Sequence, residues 1–212
     1  MRIFGIDPGS ERTGYGCVDT DGRRHRLVTC GAISAPSGDP FPERLARIHR
    51  ELLALLRACR PDCVAIESLF HAANVRSALK LGHARGVAML AAVEAGCALV
   101  EYAPAEVKRA VVGYGRAEKQ QVQQMVRLLL GLQQPPTPHD AADALAIAIC
   151  HVHAAGCRTD GLPSARSSGD PVTPVRGRPG GPGGHDGDGA AGSRRPRRAP
   201  RSWRDYRPPA GG

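Results

Sequence analysis

The sequence predicts an α/β protein: a mixed five-stranded sheet flanked by helices. Three observations lead there. Two short apolar runs, Arg2-Ile3-Phe4-Gly5-Ile6 and Cys63-Val64-Ala65-Ile66, have the length of buried strands, and each stops on an acid, Asp7 or Glu67. Asp21-Gly22 between two strand-like segments is a hairpin signal, so the opening strands run antiparallel. After these, strand and helix patterns alternate, which calls for parallel neighbours joined by helices.

In chain order, the first strand ends at Asp7 and Pro8-Gly9-Ser10 turns the chain. Residues 13–18 form the second strand and residues 25–33 return as the third. Phe41, Leu45, Ile48, Leu52, Leu55, Leu56 and Cys59 recur at helical spacing, and Pro61 stops that helix. The fourth strand ends at Glu67, and an Ala- and Gly-rich helix over 74–95 follows. Residues 98–102 make the fifth strand, and Pro104 opens a helix through Val112. Another helix spans 118–130, with Val122, Met125, Val126 and Leu129 inward. The last starts with Thr137 as cap and Pro138 at its first position.

Composition divides the chain near Cys157. Residues 158–212 hold 12 of the 26 Gly, 9 of the 18 Pro and 11 Arg against 5 Asp, with few large apolar side chains. Such a segment buries too little to offset its chain entropy, so it is expected to be a disordered tail after a folded domain at 1–157. The tail carries most of the net charge of +9, and its Arg194-Arg195-Pro196-Arg197-Arg198 cluster suits either loose phosphate contacts or plain solvation. The seven cysteines show no C-x-x-C pair, and no signal peptide or long apolar span is present, so a reduced, cytoplasmic protein without a membrane segment is expected. His151 and His153 beside Cys150 are two apart on a helix and point different ways, which argues against a zinc box.

The chemistry rests on four acids. With a period of two, Asp7 shares its sheet face with Ile3 and Gly5, and Glu67 shares its own with Cys63 and Ala65. The small residue two places back is expected to leave room for ions. If the first and fourth strands are parallel neighbours, Asp7 and Glu67 stand side by side at the carboxyl edge, where open α/β sheets place their sites. Asp140 and Asp143 lie on one face of the last helix. Asp140 has two readings, a capping-box acid or a ligand. Asp143 sits deeper, in an Ala/Leu/Ile run, where a lone ionised carboxylate costs several kcal/mol and requires a cation. Three or four acids suit Mg²⁺, and a two-metal site serves in-line phosphoryl displacement. With no P-loop and no G-x-S-x-G elbow, metal-assisted phosphodiester hydrolysis is the leading chemistry. Basic residues suit a nucleic-acid groove: Arg76 and Lys80 one turn apart, Lys108 with Arg109, and Arg116 with Lys119. Phe70, three residues after Glu67, suits stacking on an unpaired base or burial in a core.

Four segments carry a family resemblance: Gly5-Ile6-Asp7-Pro8-Gly9-Ser10 with Thr13-Gly14-Tyr15-Gly16; Ala65-Ile66-Glu67; Ser77-Ala78-Leu79-Lys80-Leu81-Gly82 with Ala84-Arg85-Gly86; and Asp140-Ala141-Ala142-Asp143-Ala144-Leu145-Ala146. The chain resembles the RuvC family of bacterial crossover junction endodeoxyribonucleases over nearly all of residues 1–157, while the tail matches nothing in the family pattern. The resemblance implies an RNase H-like fold and a homodimer. It implies paired nicks of like-polarity strands at a four-way DNA (Holliday) junction, with 5′-phosphate and 3′-hydroxyl ends, and partnership with the RuvA–RuvB branch-migration machinery. By position, Asp7, Glu67, Asp140 and Asp143 would hold two Mg²⁺, Lys108 and Lys119 would contact phosphates, and Phe70 would serve at the opened centre of the junction. Relatives often carry a Lys shortly after the Glu; here Ala72-Ala73-Asn74 precedes Arg76, which becomes the candidate for that contact. Some relatives place a His among the acids, which makes His139 a further candidate.

Three rival readings differ in class. The first phosphate loop of actin-like ATPases and sugar kinases resembles Gly5 to Ser10, but a folded part of this size has no room for their second lobe. A junction-binding protein without catalysis would be expected to lose an acid, and all four are present. An RNase H-like nuclease acting on another branched nucleic acid is the closer rival.

Overall fold

The computed structural model describes residues 1–68 and 75–159, with side chains placed through residue 155. Among these residues the strands are β1 (Arg2–Asp7), β2 (Arg12–Thr20), β3 (His25–Ser34), β4 (Cys63–Glu67) and β5 (Ala98–Tyr102). The helices are α1 (Phe41–Cys59), α2 (Val75–Glu94), α3 (Pro104–Val112), α4 (Lys119–Leu129) and α5 (His139–Thr159). The sheet order is β3-β2-β1-β4-β5. β1, β2 and β3 form the antiparallel meander, and β4 and β5 extend β1 in parallel. The expected mixed sheet is therefore present, with the antiparallel part set by the hairpin. There Gly22 takes φ 91°, and Asp21 Oδ1 accepts the N–H groups of Arg23 (2.8 Å) and Arg24 (2.7 Å).

Alternation sorts the strands into two packed layers. Phe4, Ile6, Val64 and Ile66 meet Ile48, Leu52 and Leu56 of α1 and the small residues Ala84, Ala88 and Ala91 of α2. On the other face, Ile3, Val18, Cys63 and Ala65 meet α3, α4 and above all α5, which is buried from Ala144 through Cys150. Helix α1 ends as Arg60 turns left-handed (φ 47°) ahead of Pro61.

Helix α5 comes unusually near the sheet because glycines face it. A Cβ at Gly5 would overlap the carbonyl of Ala144 and lie 2.9 Å from the amide nitrogen of Ala148; one at Gly14 would overlap the carbonyl of Asp140; one at Gly16 would lie 2.6 Å from Leu145 Cγ. This corrects one expectation. The small residue two before Asp7 makes room for the α5 backbone, not for ions, and Ala65 on β4 is likewise fully buried in that layer. The start of α5 also differs: it begins at His139, so Pro138 precedes it and its carbonyl accepts the Ala141 N–H at 2.9 Å. Glu118 is the cap of α4 and not its first residue, with its N–H held by Gln121 Oε1 at 2.8 Å. Phe70 and all but the first two residues of the 158–212 segment lie outside the described residues. No helix among the described residues is long and apolar enough to cross a membrane.

The glycine contacts generate a stability prediction. Gly5→Ala should destabilise the protein by about 1–3 kcal/mol, because the clash is with helix backbone that cannot rotate away. Urea unfolding measures this, and an unchanged midpoint would show that α5 is free to shift.

Candidate active site

Asp7 closes β1, paired with Gly14 of β2 on one side. On the other side the parallel register Ile6↔Ile66 sets Asp7 beside Glu67, the last residue of β4. The chain after Asp7 is tied down: the buried Arg44 of α1 donates to the carbonyls of Ala35 (2.9 Å) and Ser10, and Thr13 Oγ1 donates to the Gly9 carbonyl (2.9 Å). Asp143 arrives from the first turns of α5, carried in by the close packing on Gly5 and Gly14. The three acids line one pocket of about 210 Å³, together with Lys108 of α3 and Lys119 of α4. Val107, Val122, Ala146 and Ile147 form its apolar wall.

The cation that the sequence requires beside Asp143 is Lys119, whose Nζ lies 2.7 Å from Asp143 Oδ2. That hydrogen bond, supported by the charges of Asp143, Asp7 and Asp140, raises the Lys119 pKa. The lysines do not neutralise the whole cluster. Burial first, then the charges of Glu67, Asp143 and Asp140, push the Asp7 carboxyl up to about 8, with Lys119 opposing. Glu67 is raised as well, first by burial and then by Asp143, against the pull of Lys108 and Lys119.

Asp140 stands apart from the pocket lining. It reaches Asp7 through its charge and makes an ion pair with Arg12 of β2 at 3.7 Å. His139 does not line the pocket; its Nδ1 is held by the buried Gln123 of α4 at 2.9 Å. Arg76 and Lys80 belong to α2, in the other helical layer, and Arg109 and Arg116 are exposed; none of the four lines the pocket. Sequence reasoning assigned no role to Arg12, Gln123 or Arg85, whose Nε donates to the Glu67 carbonyl at 3.1 Å. No local pattern marks Arg12 or Gln123; Arg85 stands in the Ala84-Arg85-Gly86 segment of the family resemblance, but that segment does not show its partner.

The donor set suits a divalent cation of the hard type. All three pocket acids offer oxygen, and burial first, neighbouring acids second, disfavour the charged forms of Asp7 and Glu67, a penalty the two lysines only partly offset and a bound cation would relieve. Among the described residues no three His, Cys, Asp or Glu side chains already enclose one ion position. The Lys119–Asp143 contact accounts for this in part, because the ammonium takes one of the oxygens a cation would use.

A mixed sheet in this order, with acids closing two adjacent parallel strands and a third on the helix across them, defines an RNase H-like protein with a carboxylate pocket. Comparison with known proteins narrows the class. The family model described as crossover junction endodeoxyribonuclease RuvC matches residues 3–151. A protein of that name from Koribacter versatilis is 55% identical over 160 residues, 75% of this chain and 96% of that protein. One from Chloroflexus aggregans is 53% identical over 155 residues, covering 73% and 94%. The solved structure of Thermus thermophilus RuvC in complex with a Holliday junction substrate is 40% identical, with a TM-score of 0.72, covering 75% of this chain and 97% of that one. The chain belongs to the RuvC family, and dependence on a divalent metal goes with that membership.

The crowded acids have a measurable cost. Asp7 loses its proton near its ordinary 3.8 when unfolded but only at about 8 when folded, so between these values the folded state holds the extra proton and stability falls as pH rises. In metal-free protein, Asp7→Asn should therefore be more stable than the native chain, by a margin that grows from pH 4 to pH 8 toward a ceiling of about 6 kcal/mol. Thermal melts across that range check it; a margin independent of pH would refute the raised Asp7 pKa.

Proposed function

We propose that this protein is a structure-selective endonuclease that resolves Holliday junctions, in homologous recombination and DNA repair, by Mg²⁺-dependent hydrolysis of one phosphodiester in each of two like-polarity strands. The products would carry 5′-phosphate and 3′-hydroxyl ends. The observation that carries the reading is the convergence of Asp7, Glu67 and Asp143 with Lys108 and Lys119 in one pocket at the carboxyl edge of the sheet. Kinship with a protein solved on a Holliday junction substrate supports junction DNA as the substrate.

Asp7, Glu67 and Asp143, with Asp140 beside them, would hold two Mg²⁺ through carboxylate oxygens, and the metal would supply Lewis acidity and a water of lowered pKa. Lys108 and Lys119 would draw the scissile phosphate toward the acids, and Lys119 holds Asp143 Oδ2, an oxygen that a cation would also use. Arg12 holds Asp140 on the far side. Arg76 and Lys80, on the half of α2 that precedes its contact with Glu67, and Phe70 in the segment before it, contact DNA beyond the pocket. Residues 1–157 form the nuclease unit, and a cytoplasmic location and work with RuvA–RuvB belong to the same reading.

Paired cuts call for two sites, and α2 offers a surface for a second copy of the chain. Val75, Leu79, Leu90 and Val93 are between 51% and 75% exposed and lie with Gly82 and Gly86 along one stripe of three- and four-residue steps. Monomers rarely leave such a stripe uncovered, and a two-fold axis lets it pack on itself. Leu79→Glu with Leu90→Glu should convert a dimer to a monomer by light scattering, and a native chain already monomeric at working concentration would oppose the dimer.

Cleavage of an end-labelled four-way junction beside a linear duplex tests the reading. Symmetric nicks that need Mg²⁺ and spare the duplex are expected, and Asp7→Asn should lower the rate at least a hundredfold while changing junction affinity little. Equal cutting of the duplex would point to another RNase H-like substrate.

A further inference from the structure

We propose that Arg85 is a positioning residue for Glu67, a role that rests on reading Glu67 as a metal ligand. The three pocket acids are anchored differently. Asp7 is paired with β2 and followed by a turn locked through Arg44, and Asp143 stands within α5. Glu67 is the last residue of β4, with the segment 69–74 following after a single residue. On the β5 side its backbone is secured by the register Glu67↔Tyr102 and by the Ser68 N–H donating to the Tyr102 carbonyl at 2.9 Å.

Arg85 provides the further hold. It is only 16% exposed, its Nε donates to the Glu67 carbonyl at 3.1 Å, and its Nη2 pairs with the Glu101 carboxylate of β5. One planar guanidinium thus ties the ends of two parallel strands to α2, and its fork serves two acceptors in different directions, which a lysine ammonium on a flexible stem does poorly. Arg85 does not line the pocket, and its contact is with the backbone of Glu67, so its influence on the carboxylate passes through the 67–68 peptide. Its carrier, α2, is also the helix with the exposed apolar stripe, so the placement of Glu67 is tied to that helix.

The test compares Arg85→Ala and Arg85→Lys with the native chain, using the metal midpoint of Mn²⁺-induced thermal stabilisation without DNA, junction affinity in chelator, and kcat at saturating metal and junction. Arg85→Ala should raise the Mn²⁺ midpoint and lower kcat, each by about tenfold to a hundredfold, with junction affinity within about twofold of native. Arg85→Lys should recover part of both. An unchanged Mn²⁺ midpoint, or a kcat loss that matches the fraction of unfolded protein, would overturn the proposal. Should Arg85→Ala fail to fold, Glu101→Ala frees one end of the guanidinium and should shift the midpoint in the same direction by less; no shift overturns the proposal equally. Because the Mn²⁺ titration needs no DNA, a native chain that binds Mn²⁺ but does not cut junctions would sink the resolvase reading alone. A native chain without any Mn²⁺ response would sink the role of Glu67 and this proposal together.

Discussion

The contact between the backbone of α5 and the glycines of β1 and β2 sets the geometry of the site. Helices ordinarily rest on a sheet through side chains, at interaxial distances set by those side chains. Here Gly5, Gly14 and Gly16 remove them from the sheet side, and the carbonyls of Ala144 and Asp140 occupy the space a Cβ would need. The helix therefore reaches the central strands directly, and its first turns, with Asp140 and Asp143, arrive at the edge where β1 and β4 end on Asp7 and Glu67. A spacing of one more methyl group would move Asp143 away from the acids it must meet.

Bringing acids together in a half-buried pocket opposes folding. Burial and, after it, the neighbouring acids both raise the Asp7 pKa, and the surrounding packing has to offset the cost. Two lysines reduce the repulsion without cancelling it, and Lys119 does so through a direct contact with Asp143. The site thus contains a carboxylate set and two ammonium groups, the two charges the proposed phosphodiester hydrolysis would use.

Much of this was legible in the sequence because it rests on local pattern. Strands that stop on an acid, a DG hairpin and the alternation that follows are enough to set Asp7 and Glu67 at one sheet edge, and the parallel pairing of β1 with β4 is the arrangement that makes them neighbours. Asp143 announced its need for a cation because an acid within an apolar helical run has few inexpensive alternatives. What remained hidden was long-range. The partners Arg12–Asp140, Gln123–His139 and Arg85–Glu67 join residues far apart in the chain, with no periodicity or cap to mark them. Gly5 was misread for a related reason: a missing side chain shows that something comes close, but not what. The start of α5 moved by one residue because Thr-Pro signals a helix entrance without fixing which residue opens it.

If the acids at this edge hold a divalent metal, as proposed above, Lys119 has to withdraw from Asp143. Anomalous scattering from crystals of the protein grown in Mn²⁺ tests it most directly. Mn²⁺ peaks are expected among the carboxylates of Asp7, Glu67 and Asp143, with Lys119 Nζ moved off Asp143. Mn²⁺ bound elsewhere, with the Lys119–Asp143 pair intact, would contradict it.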